Sequence, residues 1–312
     1  MRVAAIDCGT NSIRLLIADV DAGDRTFVEV TRQMHIVRLG EGVDRTGKFA
    51  LAAIDRTLEA VERYATEIAL YQPSILRFCA TSASRDASNR ELFIDGVESI
   101  LGTTPEVISG MEEAHLSFLG ATKELSLEQA PFLVVDIGGG STEFVYGTLD
   151  VEAAISVNIG CVRMSERHFH TDPPSQRELD EASADIDEAI SRARVSVPIT
   201  EAKTLVAVAG TATTVAAAAL NLPNYDPVLL HLSRISAAQT HAVASTFSHL
   251  DHAERSLLPY LHPGRVDVIA AGALVLSRIL EATGADEFVA SEHDILDGIA
   301  WGLAEGEMHL GN

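Results

Sequence analysis

Two short motifs of the same type, Asp-x-Gly-x-x-Ser, occur at residues 7–12 and 136–141. Each motif lies between two apolar segments, so each predicts two strands joined by a tight glycine turn. Glycine lets backbone N–H groups approach phosphate oxygens, and the carboxylate of Asp7 or Asp136 can bind a metal ion. The repeat at a constant offset therefore predicts two related domains that bind one phosphate-containing ligand between them.

The backbone and hydroxyl groups of the two turns are the candidate phosphate ligands. They are Gly9, Thr10, Asn11 and Ser12 in the first turn and Gly138, Gly139, Gly140 and Ser141 in the second. A single Asp-Gly turn between strands is common and would carry little weight. Two structural hairpins left by an old duplication are the alternative interpretation.

Two further segments carry polar groups next to predicted strands. Residues 81–85 (Thr-Ser-Ala-Ser-Arg) end a strand, and Arg85 can clamp a terminal phosphate with two hydrogen bonds. An ion pair between Arg85 and Asp86 on the surface is the alternative. Residues 210–214 (Gly-Thr-Ala-Thr-Thr) open a helix after a strand, where N–H groups favour an anion, although the threonines could simply cap the helix.

Residues 109–113 (Ser-Gly-Met-Glu-Glu) predict the start of a helix. Ser109 and Glu112 have the spacing of a capping box, which ties Glu112 to the helix start. Glu113 points in a different direction and could orient and deprotonate the water that splits a phosphoanhydride. Its alternative role is a favourable negative charge at the positive end of the helix dipole.

The composition limits the classes of protein. The 312 residues suffice for two domains, and 47% hydrophobic with only 5% aromatic residues suits α/β packing. A net charge of −22 opposes binding to nucleic acid or to an anionic membrane. Residues 1–124 hold 13 basic and 19 acidic groups, and residues 125–312 hold 10 and 26. The first half should thus supply most side-chain cations, and a divalent metal the remaining positive charge.

Three widely spaced cysteines argue against a disulfide framework and predict a reducing cytoplasm. They are Cys8, Cys79 and Cys161. The first strand is expected within two residues of Met1, which leaves no room for a signal peptide. The longest apolar run, at 205–220, is interrupted by Gly210 and by threonines, so no membrane span is predicted.

Similar successions of strands and helices position these motifs in the two halves. In the first half, strands are predicted at 2–6, 12–20, 26–37, 75–80 and 106–108, and helices at 50–70, 91–101 and 112–124. In the second half, strands are predicted at 132–136, 142–148, 152–159, 205–209 and 288–290, and helices at 161–169, 175–194, 213–220, 236–246, 251–257, 267–282 and 293–309. A boundary near 124–130 gives an N-terminal domain of residues 1–124 and a C-terminal domain of residues 125–312. No low-complexity linker separates them, so the domains should meet at a hinge and a cleft.

The chain resembles the actin, sugar-kinase and chaperone-ATPase superfamily and, more closely, the exopolyphosphatase/guanosine pentaphosphatase family. Five segments match that family in order and spacing, and together they span essentially the whole chain. They are residues 7–15, 80–89, 108–114, 136–143 and 210–214. The resemblance implies an α/β fold of two actin-like (ribonuclease H-like) domains, each with a central mixed β-sheet, that flank a central cleft.

The resemblance also implies roles for individual residues. The family's catalytic glutamate falls on Glu113, and residues 81–85 line its phosphate site, which supports Arg85. The family's metal falls on the aspartate of the second hairpin, so Asp136 is the first choice for metal ligand and Asp7 the second. Thr81, Ser82, Gly210 and Thr211 complete the expected phosphate-binding set.

The leading hypothesis is an exopolyphosphatase that uses Mg²⁺ or Mn²⁺ to hydrolyse the terminal phosphate of inorganic polyphosphate and release orthophosphate. The nearest alternative is a guanosine pentaphosphate 5′-phosphohydrolase, followed by an ATPase or kinase and by a non-catalytic polyphosphate or alarmone sensor. Longer relatives carry an additional C-terminal helical domain, so the end of this chain at residue 312 predicts a preference for short polyphosphates. A cytoplasmic homodimer without nucleic-acid or membrane partners completes the prediction.

Overall fold

The structure, a computed structural model, describes residues 1–306 of the chain. It divides into two compact units, each built on one mixed β-sheet. The first unit comprises residues 1–120 and the C-terminal helix Ile295–Glu305, and the second comprises residues 121–294.

The sheet of the first unit has five strands. They are β1 (Arg2–Cys8), β2 (Ser12–Asp21), β3 (Thr26–Ile36), β4 (Ile75–Ala80) and β5 (Glu106–Val107). Their order is β3-β2-β1-β4-β5, in which β1 to β3 form an antiparallel meander and β4 and β5 continue parallel to β1. The parallel pairing places the carboxyl ends of β1 and β4 side by side.

The sheet of the second unit repeats this plan with one additional strand. Its strands are β6 (Phe132–Ile137), β7 (Thr142–Gly147), β8 (Val151–Val157), β9 (Thr204–Val208), β10 (Arg234–Ser236) and β11 (Glu287–Ala290). Their order is β10-β11-β9-β6-β7-β8, with an antiparallel meander from β6 to β8 and a parallel neighbour, β9, beside β6. The two mixed sheets confirm the predicted α/β class and both predicted hairpins.

Helices cover the sheets. In chain order they are α1 (Val43–Thr46), α2 (Leu51–Tyr71), α3 (Ser82–Asp86), α4 (Glu91–Leu101), α5 (Gly110–Thr122), α6 (Cys161–His168), α7 (Gln176–Ser196), α8 (Ala209–Ala219), α9 (Pro227–Leu230), α10 (Ala237–His249), α11 (His252–Ser256), α12 (Ile269–Thr283) and α13 (Ile295–Glu305). No helix among residues 1–306 is long and apolar enough to cross a membrane.

The central strand β1 is buried on both faces. Ala4 and Ile6 pack in one cluster with Tyr64 of α2, whereas Val3 and Ala5 pack in another with residues of α13. Strands that are covered on both faces read as continuous apolar runs rather than as alternating patterns. The second face of β1 therefore requires a helix, and α13 provides it.

The position of α13 differs from the predicted division at 1–124 and 125–312, which assigned the last helix to the C-terminal domain. Its apolar face packs on the first sheet, so the chain returns to the first unit at Ile295. The final helix was predicted at 293–309, and residues 307–309 of that range, like residues 307–312 of the predicted domain, lie outside the described residues.

Helix α8 begins at Ala209, four residues before the predicted start at 213. Thr213 and Thr214 do not cap this helix. Their hydroxyl groups donate to the carbonyl oxygens of Ala209 and Gly210, one turn back within the helix, at 3.4 and 2.6 Å. Gly210 and Thr211 thus lie in the first turn of α8, directly after β9.

The close packing of α13 on α5 makes Gly298 a sensitive position. A Cβ atom there would lie 1.9 Å from the carbonyl oxygen of Leu116, whereas a Cβ at Gly302 of the same helix would meet no atom within 4 Å. We expect Gly298→Ala to lower the free energy of unfolding by about 1–3 kcal/mol, as overpacking usually does. Gly302→Ala should be neutral or stabilising by up to about 1 kcal/mol, because alanine favours the helix.

Urea unfolding followed by far-ultraviolet circular dichroism checks this pair. Equal midpoints for the two variants would contradict the assigned contact between α13 and α5.

Candidate functional site

The candidate residues form one group in each unit. The first half-site comprises residues 7–12, residues 81–85 and Glu113, and it lies at the adjacent carboxyl ends of β1 and β4. The second half-site comprises residues 136–141 with Gly210 and Thr211, at the adjacent carboxyl ends of β6 and β9. The carboxyl ends of parallel strands are the usual ligand-binding edge of an α/β sheet.

The first turn is held by its own backbone and by the segment that follows β3. The N–H of Gly9 donates to the carbonyl of Ser12 at 2.9 Å and closes the turn. The carbonyl of Thr10 accepts from the N–H of Gly40 at 2.9 Å. In a trans peptide the following N–H points opposite to the carbonyl, so the N–H of Asn11 points away from Gly40. A Cβ at Gly40 would lie 2.3 Å from the Thr10 side chain, so glycine is required there.

Hydroxyl groups join this turn to the segment after β4. The Thr10 and Ser82 hydroxyl oxygens lie 3.0 Å apart, and the N–H of Thr81 donates to the carbonyl of Cys8 at 3.1 Å. All three of Thr10, Thr81 and Ser82 are buried. Two predicted phosphate ligands of the first unit, Thr10 and Ser82, are therefore in direct contact, and Thr81 is bound to the residue that precedes Gly9.

Arg85 and Glu113 form an ion pair in the first half-site. Nη1 of Arg85 donates to Oε2 of Glu113 at 2.7 Å and to the carbonyl of Ile108 at 3.0 Å. Burial raises the pKa of the Glu113 carboxyl above its usual range, with a further increase from Asp7, while Arg85 and a hydrogen bond from Thr81 oppose the rise. Glu113 is 8% exposed. A buried carboxylate with a raised pKa is suited to accept a proton near neutral pH.

The neighbouring Glu112 has separate contacts. Its N–H donates to the hydroxyl of Ser109 at 3.1 Å, so Ser109 caps the helix as predicted. Its carboxylate, however, binds Arg77 at 2.5 Å, and Arg77 also binds Glu106 at 2.8 Å. The predicted tie from the carboxylate back to the helix start is thus replaced by an ion pair with β4.

The two aspartates of the repeated motif have opposite surroundings. Asp7 faces Arg14 across the first hairpin, and Arg14 Nη2 lies 2.7 Å from Asp7 Oδ2. At the equivalent place in the second hairpin, Asp136 faces Glu143. Glu143 is 1% exposed, and it accepts hydrogen bonds from the hydroxyl groups of Ser141 and Ser156 at 2.7 and 2.6 Å. One aspartate is neutralised by an arginine, whereas the other lies opposite a second buried carboxylate.

The second turn packs on the amino end of α6. The carbonyls of Gly138 and Gly139 accept from the N–H groups of Cys161 and Val162, both at 2.9 Å, and the carbonyl of Gly140 accepts from Arg163 Nε at 2.6 Å. The N–H groups of Gly139, Gly140 and Ser141 therefore point away from α6. Three successive carbonyls thus accept hydrogen bonds from α6, and the N–H groups on the other side have the orientation found in anion-binding nests.

A glycine, Gly160, also packs against the second turn. A Cβ at Gly160 would lie 2.3 Å from the carbonyl carbon of Gly139, so the close approach of this segment requires glycine. Gly160 follows the third strand of its meander, as Gly40 does in the first unit. The repeat in the two units thus includes both the turn and the segment after the third strand that packs against it.

Gly210 and Thr211 differ in their surroundings. The guanidinium of Arg265 covers Gly210, where a Cβ would lie 2.1 Å from the Arg265 Cζ. The side chain of Thr211 hydrogen-bonds the thiol of Cys161, although burial still raises the pKa of that thiol. Thr211 also packs against Gly272. Its hydroxyl is thus bound to Cys161, so the backbone N–H of Thr211 is the group left as a candidate phosphate ligand.

Sequence reasoning missed two arginines of the second half-site. Arg163 and Arg265 contact its glycines, although the sequence assigned most side-chain cations to the first half. Arg163 lies two residues beyond Cys161 at the start of a helix, and Arg265 ends a short 3-10 helix (Pro263–Arg265) before α12. Neither has a local pattern that indicates its contact with a glycine far away in the chain.

A model of the Ppx/GppA phosphatase family matches residues 16–305. This chain belongs to that family. It is 47% identical to Exopolyphosphatase 2 of Mycobacterium tuberculosis over 97% of this chain and 98% of that protein. The crystal structure of an exopolyphosphatase-like protein is 46% identical, with a TM-score of 0.94 over 99% of this chain and 100% of that chain. These matches confirm the predicted family and its fold of two actin-like domains.

A more distant Ppx/GppA relative carries a different description. A guanosine-5'-triphosphate,3'-diphosphate pyrophosphatase of Aliivibrio fischeri is 26% identical over 98% of this chain. The match spans 60% of that longer protein. Membership of the Ppx/GppA family is therefore shared by proteins described with two kinds of phosphoanhydride substrate.

Proposed function

We propose that this chain is an exopolyphosphatase that hydrolyses the terminal phosphoanhydride of inorganic polyphosphate and releases orthophosphate. The observation that carries the proposal is the buried Glu113, which is held by Arg85 beside the candidate phosphate-binding turn. The identity of 47% with Exopolyphosphatase 2 over nearly the whole of both chains supports polyphosphate as the substrate.

In this proposal the first half-site supplies the base. Glu113 orients the attacking water and accepts its proton at Oε1 or Oε2, a contribution of about 10²- to 10⁴-fold to the rate. Arg85 fixes the carboxylate through Nη1 and can direct Nε and Nη2 toward oxygens of the terminal phosphate. Hydroxyl and N–H groups at Thr10, Asn11 and Ser12, with Thr81 and Ser82, complete the phosphate contacts.

The second half-site supplies the place for a divalent cation, with Mg²⁺ as the first candidate and Mn²⁺ the second. Hard cations of this kind prefer carboxylate oxygens, and Asp136 and Glu143 provide two of them on adjacent strands. A bound cation would neutralise charge on the phosphate oxygens. The N–H groups of Gly139, Gly140 and Ser141, with those of Gly210 and Thr211, would hold phosphate oxygens. Asp7 is the weaker metal candidate because Arg14 already neutralises it.

The second candidate function is removal of the 5′-terminal phosphate from guanosine pentaphosphate. The relative in Aliivibrio fischeri favours it, and the same base and cation site would serve this phosphoanhydride. A kinase activity and a purely ligand-sensing role are weaker alternatives, because a buried carboxylate base is what hydrolysis by water requires. An ATPase is weaker because the relative that is 47% identical over nearly the whole of both chains is described as an exopolyphosphatase.

Short polyphosphates are the preferred substrates in this proposal. The chain has a net charge of −22, so a long polyanion that extends beyond the half-sites would be repelled by the surrounding surface. We also propose a homodimer in the cytoplasm. The three buried free cysteines support the reducing compartment, and light scattering during size-exclusion chromatography measures the oligomeric state.

A side-by-side assay of phosphate release tests the function. The substrates are short polyphosphate, long polyphosphate, guanosine pentaphosphate and ATP, each in the presence of Mg²⁺. The proposal expects the highest kcat/KM on short polyphosphate. Higher values on guanosine pentaphosphate or on ATP would support the corresponding alternative, and tight binding without phosphate release would indicate a sensor.

Separate replacement of Glu113 and of Glu112 tests which of the two carboxylates acts as the base. Glu113→Gln should reduce kcat on polyphosphate by at least about 10²-fold, since the amide cannot accept the proton of water. Glu112→Gln is the matched control, because Glu112 binds Arg77 and should leave kcat within a few-fold of the original value. Comparable rates in the two variants would remove Glu113 from the mechanism.

The pH dependence of kcat/KM should be sensitive to the ion pair between Arg85 and Glu113. The base must be deprotonated, and burial raises the pKa of Glu113, so kcat/KM should fall on acidification at a pH above the usual range of a glutamate. Arg85 lowers this pKa, so Arg85→Met should move the acid limb to higher pH. Arg85→Lys keeps a positive charge and should leave the limb near its original position. An acid limb that is unchanged in Arg85→Met would contradict the assignment.

The surroundings of the two aspartates predict unequal effects on the metal requirement. Asp136→Asn should raise the Mg²⁺ concentration for half-maximal activity by at least about tenfold, since an amide is a poorer ligand for a hard cation. Asp7→Asn should change this concentration less, because the carboxylate of Asp7 is bound by Arg14. Mg²⁺ titration of polyphosphate hydrolysis measures both, and a larger shift for Asp7→Asn would reverse the assignment.

A further inference from the structure

Three side chains that can bind a transition metal come together in the second unit, and none of them belongs to the second half-site as defined above. They are Glu124, His231 and His293, and one donor atom from each lies within 4.8 Å of the other two. His231 Nε2 lies 3.0 Å from Glu124 Oε2, and His293 Nδ1 lies 3.6 Å from Glu124 Oε1. In the part of the chain that the structure describes, this is the one group of three such donors at this spacing.

The backbone holds the two histidines side by side. The N–H of Leu232 donates to the carbonyl of Ala290 at 2.7 Å, which joins the segment of His231 to the end of β11. Ser291 then fixes His293, because its hydroxyl donates to the His293 carbonyl at 2.8 Å and accepts from the His293 N–H at 3.1 Å. As a result, the two imidazole rings are tilted by 39° with their centroids 4.4 Å apart.

Glu124 and His293 lie at the two places where the chain passes between the units. The chain enters the second unit at Ala121 and leaves it after Asp294. Glu124 follows helix α5 by two residues, and His293 precedes the exit by one. A ligand bound by both residues would therefore join the entering and the leaving segment within the second unit.

We propose that Glu124, His231 and His293 form a second metal site that binds Zn²⁺ or a similar transition-metal ion. Two imidazole nitrogens and one carboxylate are a common set of three protein ligands for zinc, with water in the fourth position. The side chains are 52%, 20% and 28% exposed, respectively, so an ion can reach them from solvent. This nitrogen-rich set differs from the carboxylate pair of Asp136 and Glu143, which suits Mg²⁺.

Binding changes the tautomer of His231. The N–H of Glu292 donates to His231 Nδ1 at 3.3 Å, so the metal-free neutral ring carries its proton on Nε2 and donates it to Glu124. A metal ion at Nε2 replaces that proton, and Nδ1 becomes the protonated nitrogen. The long hydrogen bond from the N–H of Glu292 is then lost, and the bonds to the metal must contribute more free energy than this hydrogen bond does.

Zinc titration of the chelator-treated full chain tests the site. Isothermal titration calorimetry should show about one Zn²⁺ bound per chain, and Co²⁺ should give the intense visible absorption of a tetrahedral site. We expect His293→Ala and Glu124→Gln each to weaken Zn²⁺ binding by at least about tenfold, as loss of a metal ligand or even of its supporting partner does. The half-exposed position of Glu124 makes Glu124→Gln safe for folding, and far-ultraviolet circular dichroism checks both variants.

Two matched variants show whether the ion is at this place. His249→Ala removes an exposed histidine whose Nδ1 contacts only its own helix at Ser245, and it should bind Zn²⁺ as the unchanged chain does. Asp136→Asn should also leave Zn²⁺ affinity unchanged. Absence of stoichiometric binding, equal affinity in Glu124→Gln and the unchanged chain, or loss of Zn²⁺ binding in Asp136→Asn would each overturn the proposal.

Discussion

The orientation of the peptide groups in the two glycine turns is the constraint on which the rest of the structure depends. In each turn, carbonyl groups accept hydrogen bonds from the segment that follows the third strand, so the next N–H groups must point the other way. That segment can approach closely enough only because it carries a glycine, Gly40 in the first unit and Gly160 in the second. The meander, the supporting segment and the turn therefore form one arrangement that fixes the direction of these N–H groups, which in the proposed function bind phosphate oxygens.

Charge then makes the two copies different. A buried carboxylate is stabilised by a cation, by a metal ion or by hydrogen bonds, because burial without compensation costs several kcal/mol. Arg14 provides a cation for Asp7, whereas Asp136 faces the buried Glu143 across its hairpin. In the proposed mechanism, one copy can accommodate a neutralised carboxylate near the base Glu113, and the other can accommodate a divalent cation. The residue that faces the aspartate, Arg14 in one hairpin and Glu143 in the other, thus distinguishes the two copies.

Much of this could be predicted from local patterns. The hairpins around Asp7 and Asp136 follow from apolar runs interrupted by glycine turns, and the helix start at Ser109 follows from its capping spacing. The carboxylate of Glu112 was assigned to that cap, yet it binds Arg77, because a partner on a neighbouring strand competes with a local one. The last helix, α13, was predicted to belong to the C-terminal domain, but it packs on the sheet of the first unit. An apolar helix face does not specify which sheet it covers. Arg163 and Arg265 had no local signal at all.

The sequence by itself determined the family motifs and the two mixed sheets, and it identified Glu113 and Arg85 as separate candidates, whereas their ion pair came from the structure. These features depend on residue type and on short-range spacing, which the chain carries wherever it is placed. Only the tertiary structure decided which cation meets each carboxylate, which glycines are required by close packing, and which histidines lie beside Glu124. Those contacts join residues far apart in the chain, and they depend on strand register and on helix packing that no local pattern encodes.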